Sequence, residues 1–335
     1  MSQQRTTRVS LPGPILDVHD LAVLILRAHA TVAGGPFADA RLMEVSQNGE
    51  PFQRLPSRLV PPAWFDDKIT RKVAYVLYDV PAANGNVTVD AFPVQPVVSG
   101  VEGETPTRKA LEDIFWRCKN YKQNYLLAYV AQSIFERLPS NTLLHCRTAT
   151  GYTLLCHPRD VRLGTATITP REACAILHLS KSPKKFTAFL SGFHGPISWP
   201  YLVLGNDPNM NRRVVLDLAL PGIGGRGLGG ELFALERHDD YQCRVLPKYA
   251  VVHDRRPLSL GLSVAHAHQE TVARARAVTR AVLAALVAIL EGEMDFCRYC
   301  GKPGVPKQCG GCRAAHFCAP CQLLGWRYHR EWCWR

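Results

Sequence analysis

The sequence predicts an α+β fold: a body of antiparallel hairpins and helices, followed by a small cysteine-rich segment of different architecture. Three observations lead there. Short runs rich in β-branched and aromatic residues, such as 73–80, recur beside turn residues. Long helical patterns, such as 269–290, fall among them without the regular strand–helix alternation of a parallel α/β sheet. Seven of the twelve cysteines lie beyond residue 296.

The body elements follow in order. Residues 1 to 14 read as a flexible arm. Asp17 is placed to cap a helix from Val18 to Thr31, in which Leu21, Leu24, Ile25 and Ala28 recur at helical spacing. Gly34, Gly35 and Pro36 end it. Residues 45–70 hold several prolines and little periodicity, so they read mostly as loop. The run 73–80, the Asn84-Gly85 turn and the run 87–89 read as a hairpin. A single helix is expected from Thr107 to about Leu138, because no glycine interrupts it before Pro139. Thr142–Arg147 and Tyr152–Cys156 form a second hairpin. Thr169, Pro170 and Glu172 have capping-box spacing and predict a helix to Leu179. Strands are expected at Phe186–Leu190, Tyr201–Leu204, Val214–Leu220 and Lys248–His253. The last body helix spans Gln269–Leu290, and its nearly all-apolar second half is expected to be buried.

Length and composition set limits. The 335 residues suggest two domains, or one large domain with a small appendage, divided as 1–292 and 293–335. The net charge of +12 favours acidic partners: nucleic acid, acidic proteins or anionic lipid surfaces. The longest apolar run, Ala281–Leu290, is half of what a bilayer crossing needs. The first residues have no secretory signal core, so an intracellular, reducing compartment is expected, cytoplasm or nucleus.

The cysteine-rich segment carries the chemistry. It contains Cys297-Arg298-Tyr299-Cys300, Cys309-Gly310-Gly311-Cys312, Phe317-Cys318-Ala319-Pro320-Cys321-Gln322, and then Trp326, His329 and Cys333. Eight thiol and imidazole donors suit two tetrahedral zinc ions, and closed four-ligand shells mark structural sites. His329 and Cys333 are four residues apart and share one helix face. A disulfide cluster is the alternative, but the rest of the chain is not cysteine-dense. In the order of these residues the segment resembles a MYND-type zinc finger; no family resemblance is found in residues 1–290. The resemblance implies cross-braced ligation, with Cys297, Cys300, Cys318 and Cys321 on one ion and Cys309, Cys312, His329 and Cys333 on the other. It also implies docking of short proline-containing peptides near Gln322 and Trp326. Two residues separate Cys318 from Cys321 where the family has three, which leaves His316 open as an alternative ligand. Gly325 stands where the family has Asp.

Other motifs carry less. Gly222, Gly224 and Gly227 fit a dinucleotide fingerprint, but no helix start follows, so a flexible glycine loop is expected, with Arg226 able to meet an anion. His145, Cys146, Cys156 and His157 sit together on the second hairpin. If Arg147 faces Tyr152, His145 and Cys156 become diagonal neighbours that could act as a nucleophilic pair. Lys181, Lys184 and Lys185 read as a solvated loop. Methyltransferase motifs of the SET type are absent. From Asp295 on, seven Lys and Arg oppose two acids, and two zinc ions with seven thiolates add −3, so the segment is near +2. That is small for a nucleic-acid clamp. A zinc-binding adaptor that docks partner peptides is therefore the leading expectation. An enzyme with its site in the body and a basic nucleic-acid-binding protein are the alternatives.

Overall fold

A computed structural model describes residues 14–37, 40–79, 107–180, 186–262, 269–305 and 307–333. They form a mixed α+β structure with three sheets. The smallest joins β1 (Ile15–Asp17), β4 (Leu143–Arg147) and β5 (Thr153–Cys156), in the order β1-β4-β5. The largest is antiparallel, in the order β11-β10-β9-β6-β12. Its strands are β6 (Arg162–Pro170), β9 (Ile197–Leu204), β10 (Val214–Asp217), β11 (Ala234–Arg237) and β12 (Ala250–Ser259). The third runs β2-β3-β7-β8, from β2 (Ala40–Gln47), β3 (Lys72–Asp79), β7 (Ala173–Leu179) and β8 (Phe186–Ser191). Two pairings are parallel, β1 with β4 and β3 with β7.

Helix α1 (Val18–Thr31) is the centre of the body. The Asp17 side chain accepts the His19 N–H at 2.8 Å, as the cap position predicts. The helix is buried nearly all round, against β4, α3 (Asn124–Phe135) and α6 (Gln269–Leu290). Such a helix belongs inside a core. His29, on α1, contacts the Lys119 carbonyl at 3.0 Å, and burial, then Arg274, depress its pKa to about 3, so it is neutral.

Several elements differ from the sequence reading. The expected helix 107–138 is two helices, α2 (Arg108–Lys119) and α3. The chain turns at Asn120, whose side chain donates to the Leu218 carbonyl, and Lys122 adopts a left-handed φ of 52°. No glycine or proline marks this break. The expected helix 169–179 is the end of β6 followed by β7. Residues 173–177 are buried on both faces: Cys174 and Ile176 lie in one apolar cluster with Leu42, Cys118 and Tyr121, and Ala175 and Leu177 in another with Leu55, Val60 and Trp64. A strand buried on both faces reads as a continuous apolar run, which periodicity does not separate from a helix. Strand β2 reaches into the stretch read as loop. Strand β10 ends at Asp217, and β12 continues six residues past the expected His253. The second half of α6 is buried along one face only, by Val282 and Leu286, whereas Val287 and Leu290 are exposed. The proposed partner strand 87–89 and Lys181, Lys184 and Lys185 lie outside the described residues.

Among the described residues, no helix is long and apolar enough to cross a membrane. Two short helices, α4 (His238–Asp240) and α5 (Leu246–Tyr249), flank a π-turn at Tyr241–Val245. Past α6 the chain enters the cysteine-rich segment, which ends in α7 (Gln322–His329) and a 3₁₀ turn. Phe296, Tyr299, Val305 and Phe317 of this segment belong to the same buried apolar cluster as α1 and the large sheet.

Candidate metal centre

Two knuckles open the segment, built alike. Gly301 N–H bonds the Cys297 carbonyl at 2.8 Å, and Arg313 N–H bonds the Cys309 carbonyl at 3.0 Å. Both closing residues are left-handed, Gly301 at φ 73° and Arg313 at φ 55°. Gly301 has a second constraint: a side chain there would meet Arg27 Cβ at 2.6 Å and the Val23 carbonyl at 3.2 Å, both on α1. The first knuckle thus lies directly on the central helix.

The eight donors converge in two groups. Cys297, Cys300, Cys318 and Cys321 form one, and Cys309, Cys312, His329 and Cys333 form the other. Within each, the ligand atoms lie within 4.8 Å of one another, and each group could hold a metal ion. The groups interleave along the chain as the cross-braced expectation has it. Hydrogen bonds support the grouping: Cys300 to Cys318, Cys309 to Cys333 and Cys312 to His329 are each 3.6 Å apart. His316 belongs to neither group. Its Nδ1 meets the Val305 carbonyl at 3.0 Å and its Nε2 faces Asp295 at 3.5 Å, so its alternative role as a ligand is set aside.

The thiols of the first group crowd one another. Hydrogen bonds from Cys300 and Cys321 favour the Cys297 thiolate and pull its pKa down to about 2. The same contact with Cys297 pushes Cys300 up to about 12, and Cys321 is pushed up as well. Thiols this close cannot all ionise beside each other, and a dication removes that conflict. In the second group, burial, then Arg298 and Arg147, lower the pKa of His329, which favours the neutral imidazole a metal needs.

The body grips the segment through polar contacts that the sequence did not reveal. Arg226, expected on a flexible glycine loop, is buried. It donates to Glu112 Oε2 at 2.6 Å, Asp113 Oδ1 at 2.6 Å, the Gly230 carbonyl at 2.9 Å and the Tyr299 hydroxyl at 2.8 Å. Tyr299 in turn donates to Glu112 at 2.6 Å. The loop is packed, with Gly225 and Gly227 buried, and its arginine is already matched by carboxylates rather than open to an anion. On the other side Tyr328 stacks on His19 at 3.9 Å and donates to the Arg147 carbonyl at 2.9 Å, while Trp332 Nε1 donates to the Thr148 carbonyl at 3.2 Å. Arg298 pairs with Asp20 at 3.2 Å.

The hairpin candidate separates. Arg147 faces Thr153, not Tyr152, and this one-residue difference sends Cys146 and Cys156 to the buried side. His145 faces away from them and contacts Thr153 Oγ1 at 2.9 Å. No nucleophilic Cys–His pair results.

Of the two residues expected to meet a partner, Gln322 is half-buried at the start of α7 and Trp326 is 40% exposed, with its ring against His329. Leu323, one turn before Trp326 and 86% exposed, was missed. Its spacing of three residues from Trp326 was the available signal. No family model, curated protein or solved structure matches this chain.

The interleaved grouping has a direct test. In the cobalt-substituted protein, Cys312→Ser and His329→Ala should each remove the same absorption bands and one of two metal equivalents, and Cys297→Ser should remove the other set. Joint loss of one set by Cys297→Ser and Cys309→Ser would instead mean sequential sites.

Proposed function

We propose that the protein is a zinc-binding adaptor that uses its MYND-like C-terminal finger to dock a short segment of a partner protein. Thiolate and imidazole sets of this kind favour zinc, and a closed shell of four protein donors gives the ion a structural role. The observation that carries the docking reading is the outer face of α7. Leu323, Trp326 and Arg327 of α7, and Arg330 just past its end, are all exposed and follow one another at helical spacing. The opposite face, with Gly325, Tyr328 and His329, is buried against the metal groups and the body. A large aliphatic and an indole held side by side in water on a short, metal-braced helix make a rigid apolar platform with a basic rim. Rigid aromatic anchors of this type dominate binding energy at protein interfaces. The occupant that fits is a proline-containing peptide with an acidic residue, its proline on Trp326 and Leu323 and its carboxylate at Arg327.

Selection of peptides from a displayed library on the zinc-loaded protein tests this. Enriched peptides should carry proline and acidic residues. Leu323→Asp with Trp326→Ala should weaken them on the order of 30-fold, about 2 kcal/mol, with two zinc ions retained. Equal binding by that variant removes the platform from the function, and the finger becomes a structural cap.

A further inference from the structure

Helix α2 presents two residues one turn apart, Arg108 and Glu112, to the first cysteine group. Arg108 Nη2 donates to Cys321 Sγ across 3.7 Å. Glu112 accepts from Tyr299, which lies between Cys297 and Cys300 in the chain. One face of one body helix therefore touches the group at Cys321 and the knuckle loop between Cys297 and Cys300. The charge pattern of α2 agrees. Its first turn holds no acid and starts Arg108-Lys109, although a helix N-terminus is the positive end of the macrodipole and prefers anions. Two cations there are unfavourable unless an anion lies alongside. Four thiolates around a dication sum to −2, against −1 for the three thiolates of the second group.

We propose that Arg108 is a positioning residue from the body that completes the four-cysteine site. Its guanidinium shares the charge of the Cys321 sulfur, which lowers that thiolate's nucleophilicity and holds it on the metal against protons and electrophiles. The proposal rests on the zinc reading above. It makes retention of the first ion depend on a helix more than two hundred positions earlier in the sequence.

The full chain, first checked by elemental analysis for two zinc ions, is treated with N-ethylmaleimide. Zinc release is followed with a chromogenic chelator, and the modified cysteines are located by mass spectrometry. Arg108→Met is expected to speed alkylation of Cys321 and loss of one zinc about tenfold, the lower range for removing such a partner. Cys309, Cys312 and Cys333 should react as in the wild type. Arg108→Lys keeps the charge and should retain most of the protection, while circular dichroism stays unchanged in both. An unchanged rate at Cys321, or equal acceleration at both groups, overturns the role of Arg108. A wild-type chain with fewer than two zinc ions overturns the metal reading itself before any variant is compared.

Discussion

Removing both metal ions with a strong chelator should lower the melting temperature of the whole chain, in one transition. A structural zinc site contributes an apparent binding free energy of about 10–16 kcal/mol at neutral pH. The total stability of a domain is about 5–15 kcal/mol. The knuckles are therefore expected to have no stable fold without metal. What carries the effect into the body is shared packing. Phe296, Tyr299 and Phe317 are in one apolar cluster with α1, and the first knuckle rests on Val23 and Arg27. Loss of the finger uncovers that surface and removes the Tyr299 hydroxyl from the Glu112 carboxylate, which keeps Arg226 alone. Hydrogen exchange gives the sharpest measurement: amides of α1 and α2 should lose protection together with those of residues 296–333. Two separate transitions, with α1 and α2 protected as before, would show that the body folds without its finger.

Arg226→Met should destabilise the protein by about 3–5 kcal/mol, the cost of breaking a buried ion pair from one side. Glu112 is 1% exposed, and Arg226 Nη2 and the Tyr299 hydroxyl meet its Oε2 while its Oε1 has no partner among the described residues. Burial opposes the arginine's charge, yet Tyr299, Glu112 and Asp113 raise its pKa overall, so the interaction is strongly charge-dependent. Adding Glu112→Gln removes the stranded charge and should recover part of the loss. Asp113 is about half exposed and stays solvated. Urea unfolding of the two single variants and the double one closes a thermodynamic cycle. A loss below about 1 kcal/mol for Arg226→Met would place this pair in the class of surface salt bridges.

The two donor groups were legible in the sequence because ligation needs particular residues at fixed spacing, and C-x-x-C recurs there ahead of His329 and Cys333. Helices α1 and α6 were legible to the residue, since Asp17 supplies a local cap and the periodic pattern of 269–290 is long. Strand β7 was not, because Thr169, Pro170 and Glu172 have the local chemistry of a helix start while tertiary pairing with β3 and β8 decides otherwise. The break between α2 and α3 depends on the bond from Asn120 to Leu218, a contact between residues far apart in sequence. The same holds for Glu112, Arg226 and Tyr299. Each is an ordinary polar residue where it stands, and only the folded chain makes them a cluster.

The two parallel strand pairings bear on how the chain reaches this state. Residue 15 pairs with residue 143, and residue 72 with residue 173. Neither contact can be rewarded before a long loop has closed, and such topologies fold slowly. During synthesis α1 precedes the cysteine-rich segment, so the surface at Val23 and Arg27 that receives Gly301 is covered only after the knuckles have been made. That patch of α1 is therefore sealed late in folding, by a segment far along the chain.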